Sequence, residues 1–309
     1  MKKVLLMLGG GYHPFPAAGE IMTEFLTKQG FEVESTEDRG RFKKLKDFDA
    51  VVIYTQGGKL TPAQEKGLLG YVNDGGGVVG IHSASDSFKD NEGYMEMIGS
   101  EFIGHGPMAD ISVEMTPGYE KILPRTAGSW KQFDEFYLLK SRTKKKVNPL
   151  QFGWWQFDRK LLTYTRSYGK GRVFYTGLGH DERAFRHPEF QDMLVKALRW
   201  VGKVKEKAYR WGIVGYGPLY GMGEHHAELM AQTSGIEVTA ICDKDPARVK
   251  AAKERHGKGL QYFTDYRDLI KAGCCDGVTT ILPHNIHAEV TTPLLEAGLR
   301  GPVRLVPVE

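Results

Sequence analysis

Three histidines of this 309-residue chain follow short apolar runs: His13 comes after Val4–Leu8 and three glycines, His82 after Val78–Ile81, and His180 after Val173–Thr176 and Gly177-Leu178-Gly179. An imidazole exchanges its proton near neutral pH, which suits general acid–base chemistry. His105, between Gly104 and Gly106, reads as part of a flexible loop able to fold over the same place, and Ser83, Asp86, Asp134, Glu135 and Asp181 supply a hydroxyl and carboxylates nearby in sequence. Taken singly, each histidine is as readily a core or surface residue held by one hydrogen bond. The chain has no HExxH or other fixed ligand spacing, so no metal site is expected.

The elements that must position these residues alternate apolar strands with helix-like stretches. Val51-Val52-Ile53 and Val78-Val79-Gly80-Ile81 are apolar throughout, as strands are when helices cover both faces of a parallel sheet. Thr61 and Gln64 have capping-box spacing, with Pro62 at the first helical position. Leu161–Arg166, a glycine turn and Arg172–Thr176 read as a hairpin, so antiparallel members are expected late in the sheet. Residues 204–209 lack periodicity and read as a linker between a domain at 1–203 and one at 210–309. The second repeats the alternation: strand Trp211–Val214, a glycine-rich turn, then strands Val238–Cys242 and Gly277–Leu282 separated by helices. Two doubly wound α/β domains are predicted, the first flavodoxin-like and the second a Rossmann fold. Ligands in such sheets bind at the carboxyl ends of the strands, where all three histidines fall.

Composition narrows the classes. A chain 41% hydrophobic and 26% charged is ordinary for a globular protein. The net charge of +4 is spread out, and Lys144-Lys145-Lys146 lacks interleaved aromatics, so no nucleic-acid partner is expected. Only five apolar residues follow Lys2-Lys3, fewer than the ~7–15 of a signal peptide or the ~20 of a spanning helix. No membrane association is expected. The three cysteines, Cys242, Cys274 and Cys275, make no disulfide framework, which fits a cytoplasmic protein.

Gly80-Ile81-His82-Ser83, Asp86, "YMEMIGSEFIGHG" at 94–106, "FDEFYLL" at 133–139, "YGKGRVFYTGLGHD" at 168–181 and "HPEF" at 187–190 resemble the ThuA-like (trehalose utilisation) family. That family is similar in fold to class I glutamine amidotransferases, whose nucleophilic cysteine sits on a strained elbow after the equivalent strand. Here the place holds His82, and an imidazole cannot form the thioester of amide hydrolysis. The resemblance implies work on trehalose-type or related carbohydrates rather than amidotransferase activity.

In "WGIVGYGPLYGMGEHHAEL" at 211–229, Gly215, Gly217, Gly221 and Gly223 depart by one residue from GxGxxG but follow a strand and open a helix, as a dinucleotide site requires. Asp243, ending "VTAICD", is the acid expected on the adenosine ribose; it favours NAD, while Lys244 leaves NADP open. With "DKDPARVKAA", "YFTDYRDLI" and "LPHNIHAEVTTPLLEAG", this half resembles the NAD-binding domain of the Gfo/Idh/MocA oxidoreductases. The resemblance implies that Pro283, His284, Asn285 and His287 lie near the nicotinamide. Family members continue with a Glu-Lys-Pro motif and a substrate domain, whereas this chain ends at Glu309; weak NAD binding and no dehydrogenase activity are expected from it alone.

The combined expectation is a sugar-processing protein, possible as a homo-oligomer, whose ligand is a small carbohydrate. His82 would be general acid or base, with Asp86, His105 and His180 as further catalytic groups and His13, Ser83, Asp134, Glu135 and Asp181 binding substrate. A non-catalytic sugar- or nucleotide-binding module and a fragment of an NAD-dependent sugar oxidoreductase are the alternatives. A joint site requires the imidazoles of His82 and His180 within ~10 Å. A solvent-facing His82 implies that His82→Ala changes stability by no more than ~0.5 kcal/mol.

Overall fold

The computed structural model describes residues 2–124, 126–203, 208–217, 222–233 and 235–299. The chain divides into two compact units, residues 1–205 and 206–309. The first opens with β1 (Lys2–Gly9), α1 (Phe15–Lys28), β2 (Phe31–Thr36), β3 (Ala50–Thr55), α2 (Pro62–Asn73) and β4 (Gly77–Ile81). After α3 (Glu92–Ile98) come β5 (Ser100–Met115), β6 (Ser129–Ser141), β7 (Asn148–Trp155) and β8 (Asp158–Tyr168). The unit closes with β9 (Gly171–Thr176), α4 (Glu182–Arg186) and α5 (Pro188–Val201).

These strands form one sheet in the order β2-β1-β3-β4-β9-β8-β7-β5-β6. Pairing is parallel from β2 to β9 and antiparallel from β9 to β6. Successive strand residues point to opposite faces, so the apolar runs feed two cores at once. Val4, Leu6, Leu8, Val79 and Ile81 pack with Phe15 and Met22 of α1 and Phe190 and Met193 of α5. Leu5, Met7, Val51, Ile53 and Val78 pack with Leu68 and Val72 of α2 and Tyr94 and Met95 of α3. Helix α2 starts as its spacing predicts, with Thr61 and Gln64 each accepting the other's backbone N–H.

Unlike the predicted loop, His105 lies within the sixteen-residue strand β5. Its burial pattern follows no regular alternation, with Ile103 and Ala109 exposed and Gly106 buried, which hides it from a reading by hydrophobic period. Its pairing with β6 slips by one residue between His105 and Met108, which face Tyr137 and Glu135. Such a bulge bends a strand and re-aims its side chains.

The second unit comprises β10 (Tyr209–Val214), α6 (Met222–Gln232), β11 (Ile236–Cys242), α7 (Pro246–His256), β12 (Gln261–Phe263), α8 (Tyr266–Ala272), β13 (Gly277–Thr280) and α9 (His287–Glu296). Its parallel sheet runs β12-β11-β10-β13, the order of a mononucleotide-binding half. Tyr209, placed in the linker by sequence, begins β10, and β13 stops two residues before the predicted Leu282. Among the described residues no helix is long and apolar enough to cross a membrane.

Phe174 on β9 is fully buried against both neighbouring strands' side chains and α5. Phe174→Ala is therefore expected to destabilise the first unit by about 3–5 kcal/mol, read as a lowered urea midpoint at unchanged slope.

Candidate functional site

The site begins where β4 ends. His82 opens a short 3-10 turn, His82–Asp86, with φ +46°, a left-handed conformation uncommon outside glycine. Holding it costs of order 1–3 kcal/mol, and the surroundings supply the restraint. The His82 carbonyl accepts bonds from Tyr175 Oη at 2.9 Å and Ser85 Oγ at 3.2 Å, and the Ala84 carbonyl accepts one from Tyr94 Oη at 2.8 Å. Gly80, just before the turn, leaves room for its neighbours: a Cβ there would stand 2.5 Å from Ile98 Cδ1, which would have to move.

His82 is buried rather than solvent-facing, which removes the basis for expecting a near-neutral alanine substitution. Its ring stacks on Tyr137 with centroids 3.6 Å apart. Nδ1 stands 2.6 Å from the Gly177 carbonyl oxygen; because a carbonyl only accepts, Nδ1 carries the proton and Nε2 keeps its lone pair in the neutral ring.

That lone pair meets two other groups. His180 Nδ1 is 3.3 Å from His82 Nε2 and 3.1 Å from Glu135 Oε2, and the latter is 3.4 Å from His82 Nε2. The His13 ring centroid lies 5.0 Å from those of both His82 and His180. One donor atom from each of His13, His82, Glu135 and His180 can be chosen so that all four lie within 4.8 Å of one another. His105 approaches from outside, with Nδ1 2.7 Å from Glu135 Oε1.

The electrostatics follow from this crowding. Burial, then the like charges of His82 and His180, push the His13 imidazole down to about 3, so it is neutral at physiological pH. Burial opposes ionisation of Glu135, yet the bond from His180, reinforced by the neighbouring imidazoles, outweighs it and holds the carboxyl well below the usual range. The bond to Glu135 raises His180 against the effect of burial.

Asp134 does not face this cluster as a substrate ligand. It is buried, and its carboxylate accepts the backbone N–H groups of Gly179 (2.7 Å), His180 (2.9 Å) and Glu135 (2.8 Å) and the Gln132 amide (2.7 Å). It thereby fixes the turn that carries His180. Asp181 is likewise spent locally, capping α4 through the Arg183 N–H and pairing with the Arg183 guanidinium. Asp86 pairs with Lys89 at 2.7 Å and accepts from Gln56 at 2.9 Å rather than bonding an imidazole. The Ser83 hydroxyl is buried without a partner among the described residues. Sequence reasoning missed the metal-type cluster because its members stand at 13, 82, 135 and 180, and it missed Tyr137. The latter lies two residues from Glu135 on the same strand face, a period-two signal available in "DEFY".

In the second unit, Gly215 has φ +97°, and a Cβ there would strike the Ile281 carbonyl oxygen. Gly223 permits another close approach: its Cβ would lie 2.6 Å from Tyr216 Cα and 2.7 Å from the Gly215 carbonyl oxygen. A Cβ on Gly217 would meet the Arg248 guanidinium at 2.6 Å. Gly221 falls outside the described residues. Asp243, buried at the end of β11, accepts the Tyr216 N–H at 2.8 Å and the Asp245 N–H at 3.0 Å. Two of its roughly four lone-pair positions remain for ribose hydroxyls. Pro283, His284 and Asn285 are exposed just beyond β13, and His287 starts α9. They share the carboxyl edge with Gly215, since β13 pairs with β10. These features fit a dinucleotide.

Asp134→Ala leaves the Gly179 and His180 N–H groups buried without an acceptor, at about 1–3 kcal/mol each. A loss of about 2–5 kcal/mol in denaturant unfolding is expected, with Asp134→Asn, which keeps one acceptor oxygen, losing less.

The family model for trehalose utilisation, ThuA, matches residues 3–201, and that for the Gfo/Idh/MocA oxidoreductase family, NAD-binding Rossmann fold, matches 209–303. Solved structures similar to the first unit include ThuA-like proteins of Parabacteroides merdae ATCC 43184 (TM-score 0.60, 19% identity) and Bacteroides uniformis ATCC 8492 (TM-score 0.55, 22% identity). Each covers 65% of this chain, with 90% and 91% of the other chain covered; at that identity they support the fold. Over 94 residues, 30% of this chain, the protein is 40% identical to inositol 2-dehydrogenase of Corynebacterium glutamicum (strain R), and over 92 residues, 29% of this chain, it is 33% identical to the rhizopine catabolism protein MocA of Rhizobium meliloti. The chain spans 27% of the length of each of these two relatives. The protein thus belongs to the ThuA family and carries, after its ThuA domain, a Gfo/Idh/MocA NAD-binding Rossmann domain.

Proposed function

We propose that the first domain transforms a small carbohydrate, a trehalose-type sugar or a keto-sugar, and that the second binds a nicotinamide nucleotide serving the same metabolism. The observation that carries this reading is the convergence of His13, His82, His180 and Glu135 at an elbow lacking a thiol nucleophile. A neutral imidazole and an ionised carboxylate held together can bind sugar hydroxyls and accept a proton. His82 is closed off from solvent, whereas the His180 side chain is one-quarter exposed and His13 is also partly exposed; His180, bonded to the ionised Glu135, is the member placed to meet substrate, and His82 positions it. The names of the relatives of the second domain, inositol dehydrogenases and a rhizopine catabolism protein, support a polyol or sugar setting.

In the second domain, Gly215, Gly217 and Gly223 would receive the pyrophosphate, Asp243 the adenosine ribose, and Pro283, His284, Asn285 and His287 the nicotinamide side. The nucleotide, when bound, accepts or donates a hydride. Arg248, with Nη1 3.6 Å from Asp243 Oδ1, softens the repulsion that Asp243 alone would exert on a 2′-phosphate, so NADP is accepted less well than NAD rather than refused.

The test is to incubate the full chain with a panel of disaccharides, inositols and their 3-keto forms, with and without NAD, and follow products by NMR. Conversion of at least one sugar is expected, falling by about 10²–10⁴-fold in His180→Ala. No conversion across the panel, with binding retained, would favour the binding-module alternative. In calorimetric titration NAD is expected to bind weakly yet at least about tenfold tighter than NADP, and Asp243→Ser should narrow that gap. Equal affinities in the parent protein would remove the role given to Asp243.

A further inference from the structure

We propose that His13, His82, Glu135 and His180 form a binding site for a divalent transition-metal ion, with zinc the ion their chemistry suits best. The first argument is metric. Zinc bonds of ~2.0–2.1 Å in tetrahedral array place neighbouring donor atoms ~3.3 Å apart. The triangle of His82 Nε2, His180 Nδ1 and Glu135 Oε2 has edges of 3.3, 3.1 and 3.4 Å. It has the dimensions of one face of a zinc tetrahedron, and His13 brings a fourth donor within 4.8 Å of the rest.

The second argument counts protons. Nδ1 of His82 must donate to the Gly177 carbonyl oxygen, so a neutral His82 presents only a lone pair at Nε2. Glu135 Oε2 presents lone pairs as well. The proton on His180 Nδ1 is then all that three mutually facing atoms have to share, and protonating His82 too would set two N–H groups against each other. His13 Nδ1 adds a buried nitrogen with no hydrogen-bond partner among the described residues. A cation at the centre, with the His180 proton carried on Nε2 instead, satisfies the facing lone pairs of His82, His180 and Glu135 at once.

Support from outside the cluster is the third argument. Ligand histidines are oriented by a bond from the other ring nitrogen to a carbonyl or carboxylate, and ligand carboxylates by donors of their own. Gly177 holds His82 in this way, Asp134 fixes the backbone N–H of His180, and His105 Nδ1, which bonds the Gly106 carbonyl oxygen at 2.8 Å, stands 2.7 Å from the second oxygen of Glu135. Imidazoles with one carboxylate suit zinc, and three such ligands with one open position are the pattern of catalytic zinc sites. The ion site stands on this geometry alone. Its use rests on the proposed function: the ion would take a hydroxyl or carbonyl oxygen of the sugar and polarise it.

The experiment uses the full chain, purified without a metal-affinity step, stripped with a chelator and titrated with zinc chloride by calorimetry. A parallel titration with cobalt(II) reads the visible absorption of a four-coordinate site. One ion per chain is expected. Its affinity should fall by at least about 100-fold in His180→Ala and in Glu135→Gln, while His225→Ala, on α6, leaves it unchanged. Glu135→Gln keeps the shape and volume of the side chain, so it decides the matter if His180→Ala folds poorly. Binding of less than a tenth of an ion per chain, or affinity indifferent to both substitutions, overturns the site. Stoichiometric zinc without sugar conversion supports the site and counts against the proposed function; sugar conversion by ion-free protein overturns the ion's part in catalysis and leaves that function standing.

Discussion

The hydrogen bond from His82 Nδ1 to the Gly177 carbonyl oxygen, 2.6 Å long, is the constraint on which the first domain's site depends. It links the carboxyl ends of β4 and β9, strands adjacent in the sheet but 95 residues apart in the chain. Without it the His82 ring could turn over or change tautomer, and the direction of its Nε2 lone pair would be undefined. Tyr137 then closes the remaining freedom by stacking on the ring, and the carbonyl of His82 itself is held by Tyr175 and Ser85. A residue in a left-handed conformation persists only where its surroundings over-determine it, and these contacts do so.

The antiparallel extension has a second task besides covering the core. Strand β6 delivers two adjacent acids to the same edge for different purposes: Asp134 binds backbone N–H groups of the His180 turn, while Glu135 points its carboxylate at the imidazoles. The bulge in β5 completes the arrangement. Because the pairing slips between His105 and Met108, His105, opposite Tyr137, reaches diagonally to within 2.7 Å of Glu135 Oε1, the oxygen other than the one nearest His82. Diagonal neighbours in an antiparallel pair lie within reach of long or aromatic side chains.

Much of this was legible in the sequence, and the limits have physical causes. The apolar strands, the capping box at Thr61, the hairpin of β8 and β9 and the glycine turn at Gly215 are local patterns, and local patterns are what sequence periodicity encodes. The strand-end positions of His13, His82 and His180 follow from the same patterns and place them at one sheet edge. Convergence of Glu135 on that edge depends on how a long antiparallel excursion returns, which no local period records. His105 was misplaced for a related reason, since β5 carries Glu101, His105, Asp110 and Glu114 on a largely solvated ribbon. The carboxylates near His82 and His180 in sequence were also too readily given to substrate, because a turn consumes nearby acids as acceptors for its own N–H groups.

The two domains solve one problem in opposite ways. Each turns sharply after a parallel strand and enters positive φ, at His82 and at Gly215. At Gly215 the Ile281 carbonyl occupies the space of any Cβ, so the turn must be glycine and backbone, not a side chain, lines the start of the turn. At His82 the space beyond the turn is filled by the residue's own ring, stacked on Tyr137 and tied to Gly177. What binds there meets side-chain nitrogen and carboxylate, groups that hold a proton or a cation. The same sheet edge thus presents backbone where the side chain is excluded, and imidazole and carboxylate where a side chain is clamped into strain. This difference is why the first domain's candidate groups are concentrated in four residues, whereas the second's candidate nucleotide contacts are spread along the chain from Gly215 to Asp243.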